Sequence, residues 1–204
     1  MGAGAGLVLW CALYLVVTAA LRPWGIQAPM VAAAVAALAV ALVLRWSLKL
    51  PPGLLLAALC GAVLATLLSV GLAAFWRDIS YDGPAIHFPS ALELSGGLNP
   101  FTTRPGMYFS AVYPNGLWTL QAFFIHLGPG IEEGKAPAWM LCFASLPLVA
   151  VALRQWQGRW TPAVALAAVL VQANPVLLLQ LTSFELDGIV YSLFVIAFAG
   201  AVLL

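Results

Sequence analysis

The sequence predicts an all-α polytopic membrane protein, and three observations carry that prediction. Of the 204 residues, 64% are apolar and only 7% charged. Mean hydropathy is +1.03. The apolar residues fall in runs long enough to cross a bilayer. A soluble domain of this size is about 25% charged, so seven acidic and eight basic side chains could not coat a water-facing surface. Lipid must solvate the chain. The net charge of +1 leaves no electrostatic case for nucleic acid as a partner. Cys11, Cys60 and Cys142 all lie in apolar runs, which argues against a disulfide framework, and no Cys/His cluster suggests zinc.

A span needs about 20 apolar residues, and about six segments meet or approach that: 5–21, 27–44, 54–76, 136–153, 162–181 and 189–204. No basic region precedes the first, so it reads as a span and not as a cleavable signal. Pro175 should kink the fifth. Trp24, Trp46, Trp76, Trp156 and Trp160 fall at span ends, as interfacial aromatic belts do. The chain divides into three spans over 1–76, a polar loop over 77–135 and three spans over 136–204, all one membrane domain.

Residues 115–127 would cover roughly 20 Å as a helix, short of the roughly 30 Å hydrocarbon core, before Gly128-Pro129-Gly130 ends them. They are expected to form a short re-entrant or interfacial helix; the competing reading is a seventh, short span. Charge favours the former. Arg45 and Lys49 lie between spans two and three, Arg154 and Arg159 between spans four and five. The positive-inside rule puts both pairs, and the amino terminus, in the cytoplasm. All seven acidic residues then face the other side. A seventh span would reverse that arrangement for the second basic pair.

The long polar stretch 76–116 should be functional, because tethers need only a few residues. Asp82 before Pro84 suits a helix start and Gly96-Gly97 its end. An amphipathic surface helix is expected over 84–95, with Asp82 free to serve either as its cap or as a base or metal ligand. His87 lies five residues on, about 140° round an α-helix from Asp82. Asp78 and Glu93 read as solvated surface charges. Arg77 and Arg104 suit lipid or substrate phosphates. Glu132 and Glu133, just before Lys135, suit a helix start. Glu185 and Asp187, among Asn174, Gln180, Thr182 and Ser183, interrupt an apolar region where ionisable groups are costly.

Three runs, YDGPAIHFPSALELSGGLNPF, YPNGLWTLQAFFIHLGPGIEEGKA and NPVLLLQLTSFELDG, together resemble uncharacterised bacterial members of the GT-C glycosyltransferase superfamily. That superfamily includes protein O-mannosyltransferases and lipid A aminoarabinose transferases. The resemblance covers about residues 76–200. It implies a bacterial inner-membrane enzyme that transfers a sugar from a polyprenyl-phosphate or -diphosphate donor to an acceptor on the extracytoplasmic face, in many members with a divalent metal ion and in some without. It places Asp82 at the family's loop aspartate, as base or metal ligand. It places Asp187 at the aspartate after the family's Asn-Pro segment. His87 fits a Tyr-His pair, with Ile86 in place of the tyrosine. Asp82, His87 and Asp187 are thus the expected catalytic residues; Arg77, Arg104, Lys135, Glu132 and Glu185 are the expected substrate-binding ones. Tyr113-Pro114-Asn115 stands where the aminoarabinose transferases carry a glutamate and a lysine. Complete members are longer, so the chain is expected to be an amino-terminal part. Two other classes remain: a non-catalytic membrane subunit packed against other subunits, and a transporter. No inverted repeat supports the last.

Overall fold

A computed structural model describes residues 2–22, 28–46, 49–99, 103–112 and 115–203. Trp24, the start of the second expected span, and Tyr113-Pro114 lie outside the described residues. Within them the fold is entirely helical, with no strand. The helices are α1 (Gly2–Leu21), α2 (Pro29–Trp46), α3 (Pro52–Phe75), α4 (Phe88–Ser95), α5 (Tyr108–Val112), α6 (Gly116–Leu127), α7 (Ala136–Gln157), α8 (Pro162–Gln172), α9 (Pro175–Gln180) and α10 (Asp187–Leu203). A π turn over Gly83–His87 leads into α4, and a 3₁₀ turn over Glu132–Lys135 leads into α7.

Four helical stretches are long and apolar enough to cross a membrane: Gly4–Leu21, Pro29–Trp46, Pro52–Phe75 and Glu132–Gln157. The chain is an integral membrane protein. Its exposed surface supports this: Leu54, Leu56, Val63, Leu64, Leu67 and Leu68 of α3 are all exposed, a face that only lipid solvates at no cost. Trp46, Trp76, Trp156 and Trp160 are exposed at helix ends, as interfacial tryptophans are.

The fifth expected span is not one helix. Asn174 interrupts it, capping α9 by accepting from the Val176 N–H at 2.9 Å, and Pro175 follows at a position where its missing N–H costs nothing. At about 1.5 Å per residue, α8 and α9 are each well short of a bilayer, and α10, with 17 residues, reaches about 25 Å.

Helix α7 is the hub, packing on α1, α3, α8 and α10. Gly158 ends it in the left-handed conformation, φ 78°, which glycine adopts without strain. α7 and α10 run parallel: their starts share the polar cluster described below, and near their ends Gln155 Nε2 donates to the Val202 carbonyl at 3.3 Å. The intervening segment, with α8 and α9, therefore returns the chain from one end of the bundle to the other. The main core joins Leu7, Cys11 and Tyr14 of α1 to Phe123 and Phe124 of α6 and Met140 and Leu141 of α7. Tyr14 stacks on Trp10 with ring centroids 5.5 Å apart and meets Phe123 at 4.9 Å. Thus α6 is buried against α1 and α7. It also lies lengthwise along α4, through Ala91, Leu94, Trp118 and Ala122.

Candidate functional site

Three segments far apart in sequence meet at one end of the bundle: the stretch after α3, the turn before α7 and the stretch between α9 and α10. Asp78 is the knot. Its Oδ2 accepts from the Phe184 N–H at 2.7 Å, and its Oδ1 from the Ser80 N–H at 2.8 Å. Its own N–H donates to Glu132 Oε2 at 3.3 Å. Lys135, fully buried, pairs with Glu132 Oε2 at 2.7 Å and donates to the Trp76 carbonyl. Gln121 Nε2 of α6 donates to the Phe184 carbonyl at 2.9 Å. Gly134 allows this closeness: a Cβ there would lie 2.6 Å from Phe184 Cε1 and 2.7 Å from Ile125 Cγ1.

Asp78 is therefore not the solvated charge its place in a polar loop suggests; it is buried and fully bonded. Glu93 departs from expectation in the same way. Its Oε1 accepts from the Met107 N–H at 3.0 Å, and its Oε2 is buried without a partner among the described residues. Both corrections have one cause: charge in a loop says nothing about which distant backbone N–H groups need an acceptor.

The helix bearing His87 begins at Gly83, directly after Asp82, but as a π turn. Phe88 N–H donates to the Gly83 carbonyl, an i→i+5 bond. Pro89 explains the wider turn, since its ring would clash with the Ala85 carbonyl in a regular α-helix and its nitrogen cannot donate. Asp82 precedes this turn and its side chain makes no capping bond. The i→i+5 repeat also overturns the 140° separation expected from α-helical spacing, because it returns residue 87 to near the face of residue 82.

His87 is half-buried, and its Nδ1 accepts from Trp118 Nε1 at 3.0 Å. Indole N–H can only donate, so Nδ1 is unprotonated and Nε2 carries the hydrogen. Burial pushes the His87 pKa below the ordinary imidazole value, against the opposing pull of Asp82, Glu185, Asp187 and Asp78. Four carboxylates from two distant stretches of the sequence thus act on one imidazole. Glu185 and Asp187 are themselves tied together: Gln180 Nε2 donates to Glu185 Oε2 at 2.7 Å and to Asp187 Oδ2 at 3.3 Å, and Gln180 Oε1 accepts from the Gly188 N–H.

The eight expected site residues fall into three groups. Asp82, His87, Glu185 and Asp187 share an electrostatic neighbourhood, with Asp82 and Asp187 exposed. Glu132 and Lys135 form a largely buried pair beside them. Arg77 and Arg104 are exposed, and neither bonds to the cluster among the described residues. Sequence reading missed Trp118 and Gln121, whose only signal was a polar atom inside an apolar helix. Among the described residues no three His, Cys, Asp or Glu side chains gather closely enough to hold a metal ion.

No protein-family model, no curated protein and no solved structure matches the chain.

Proposed function

We propose that the chain is a glycosyltransferase of the GT-C kind, or its amino-terminal module. It would move a sugar from a polyprenyl-phosphate donor to an acceptor hydroxyl on the extracytoplasmic face of the bacterial inner membrane. The observation that carries this reading is a half-buried His87, its Nδ1 held by the Trp118 N–H, that lies within the electrostatic reach of Asp82, Glu185 and Asp187. Asp82, exposed and bonded to no cap, is the general base. It takes the acceptor's proton as the acceptor oxygen bonds to the anomeric carbon and the carbon–phosphate oxygen bond breaks. The leaving phosphate carries the developing charge, and exposed Arg77 and Arg104 are the cations free to meet it. The His87 Nε2–H offers a hydrogen bond to a sugar or acceptor oxygen. Lys135 supports the site from beneath, its charge already taken by Glu132.

The proposed topology has six crossings, with α8 and α9 together forming the fifth and the amino terminus in the cytoplasm. The parallel run of α7 and α10 supports it. The side-by-side packing of α4 and α6 supports α6 as an interfacial or re-entrant helix. A second reading, a non-catalytic subunit that associates with other membrane proteins, is favoured by one observation. Asp78, Glu132 and Lys135 spend their polar groups on internal bonds that a scaffold would need equally.

The test reconstitutes the protein in nanodiscs with a panel of polyprenyl-phosphate hexoses and pentoses and measures release of polyprenyl phosphate. Release from one donor class, dependent on an added acceptor, supports the enzyme. No release from any donor, with the protein folded, supports the subunit.

A further inference from the structure

A cavity of about 240 Å³ lies away from the acidic cluster, between the end of α1, the start of α2, the end of α4 and α6. Its polar lining is Tyr14, Thr18, Arg22, Ser95, Thr119 and His126, with no acidic side chain among the described residues. Arg22 is half-buried, and no carboxylate pairs with it among the described residues. Burial lowers its pKa, and only Tyr14 opposes this. A desolvated guanidinium without a counter-charge is costly. The Thr18 hydroxyl, buried beside the Tyr14 hydroxyl, lines the same cavity. That demand for a counter-charge is met by an acceptor-rich anion, and a phosphate ester answers a guanidinium fork best.

Next to it lies a second, apolar cavity of about 320 Å³, lined by Trp10, Val40, Leu44 and Leu67 among others. Phe123 lines both cavities. The polar one is bounded by the later residues of α1, the apolar one by Gly6, Leu7 and Trp10, earlier in the same helix. A cationic, hydroxyl-lined cavity therefore adjoins an apolar one at Phe123, the two in sequence along α1.

We infer that this pair of cavities binds a phosphate-bearing membrane lipid, its headgroup at Arg22 and Thr18 and one chain passing Phe123 into the apolar cavity. The inference stands apart from the glycosyl-transfer reading, since none of these residues belongs to the acidic cluster.

The experiment titrates dioleoyl phosphatidylglycerol into delipidated full-length protein in detergent and reads bound lipid by native mass spectrometry. Arg22→Gln should weaken binding by about tenfold or more, the worth of a charge-assisted hydrogen bond. Arg22→Lys should bind more tightly than Arg22→Gln but less tightly than the parent, and Thr18→Val should cost about three- to tenfold. Arg159→Gln, an exposed arginine elsewhere, should leave it unchanged. Ala37→Phe, at an exposed position lining the apolar cavity, should weaken the dioleoyl lipid while sparing a dihexanoyl analogue. Melting each variant separates lost binding from lost folding. Equal affinity in Arg22→Gln, or equal loss in Arg159→Gln, would overturn the site. Binding of dioleoylglycerol, or of inorganic phosphate alone, as tight as that of the phospholipid would overturn the lipid-phosphate assignment.

Discussion

Replacing Lys135 by methionine tests whether the buried pair clasps the loop to α7 or serves a substrate. The ammonium is fully buried, 2.7 Å from Glu132 Oε2. At an effective dielectric of about 20 the gross attraction at that distance is roughly 6 kcal/mol. Most of it offsets the desolvation of both ions. Removing one partner of a buried pair costs about 3–5 kcal/mol, because the other charge is left unpaired. Glu132 keeps 24% of its side-chain surface exposed, so water recovers part of this and about 3 kcal/mol is the better figure. The variant also orphans the Trp76 carbonyl. For a chain of this length, about 3 kcal/mol corresponds to a Tm lowered by roughly 6–12 °C, read by thermal unfolding in detergent. The double variant Lys135→Met/Glu132→Gln should be less destabilised than the sum of the singles by more than about 1 kcal/mol. A Tm within about 2 °C of the parent, or a strictly additive pair, would refute the clasp and return Lys135 to the list of groups free to bind phosphate.

Three further outcomes follow from the same geometry. His87 has a folded-state pKa below its unfolded value, so the unfolded chain binds the extra proton first. Stability should be full above about pH 6.5 and fall as pH drops below it; His87→Gln should flatten that slope in a Tm-against-pH series, and an unchanged slope would count against it. Gly83→Ala places a Cβ against Asp78 Oδ2 and Ser80 Oγ, two acceptors already in use. It should destabilise by about 1–3 kcal/mol, measured by the same melts, and a neutral result would show that the turn can yield. In a cysteine-free background, Thr103→Cys should label with an impermeant maleimide in intact cells while Gln157→Cys should not; labelling of residue 157 from outside would invert the topology.

Much of the fold is legible because it rests on local chemistry. The all-helical character, the break at Asn174-Pro175 and the helices near 84–95 and 115–127 follow from apolar runs, prolines and glycines acting over a few residues. The π turn was not legible, although its cause, Pro89, was in view, because helical spacing assumes 3.6 residues per turn. The six-span count rests on summed hydropathy, which does not register that α8 and α9 are separate helices. The site was legible as a set of costly polar residues and not as a geometry. Asp78 and Phe184 are 106 positions apart, and only the packing of α7 against α3 and α10 makes them partners. For the same reason Lys135, a free cation in sequence, is the most enclosed charge in the described fold.

The most direct test of the central claim is the turnover of Asp82→Asn with whichever polyprenyl-phosphate sugar the parent protein consumes. A general base contributes about 10²–10⁴-fold, so the variant should lose that much turnover while its Tm stays within a few degrees, since the Asp82 side chain caps no helix. Turnover near that of the parent would remove Asp82 from catalysis and contradict the account.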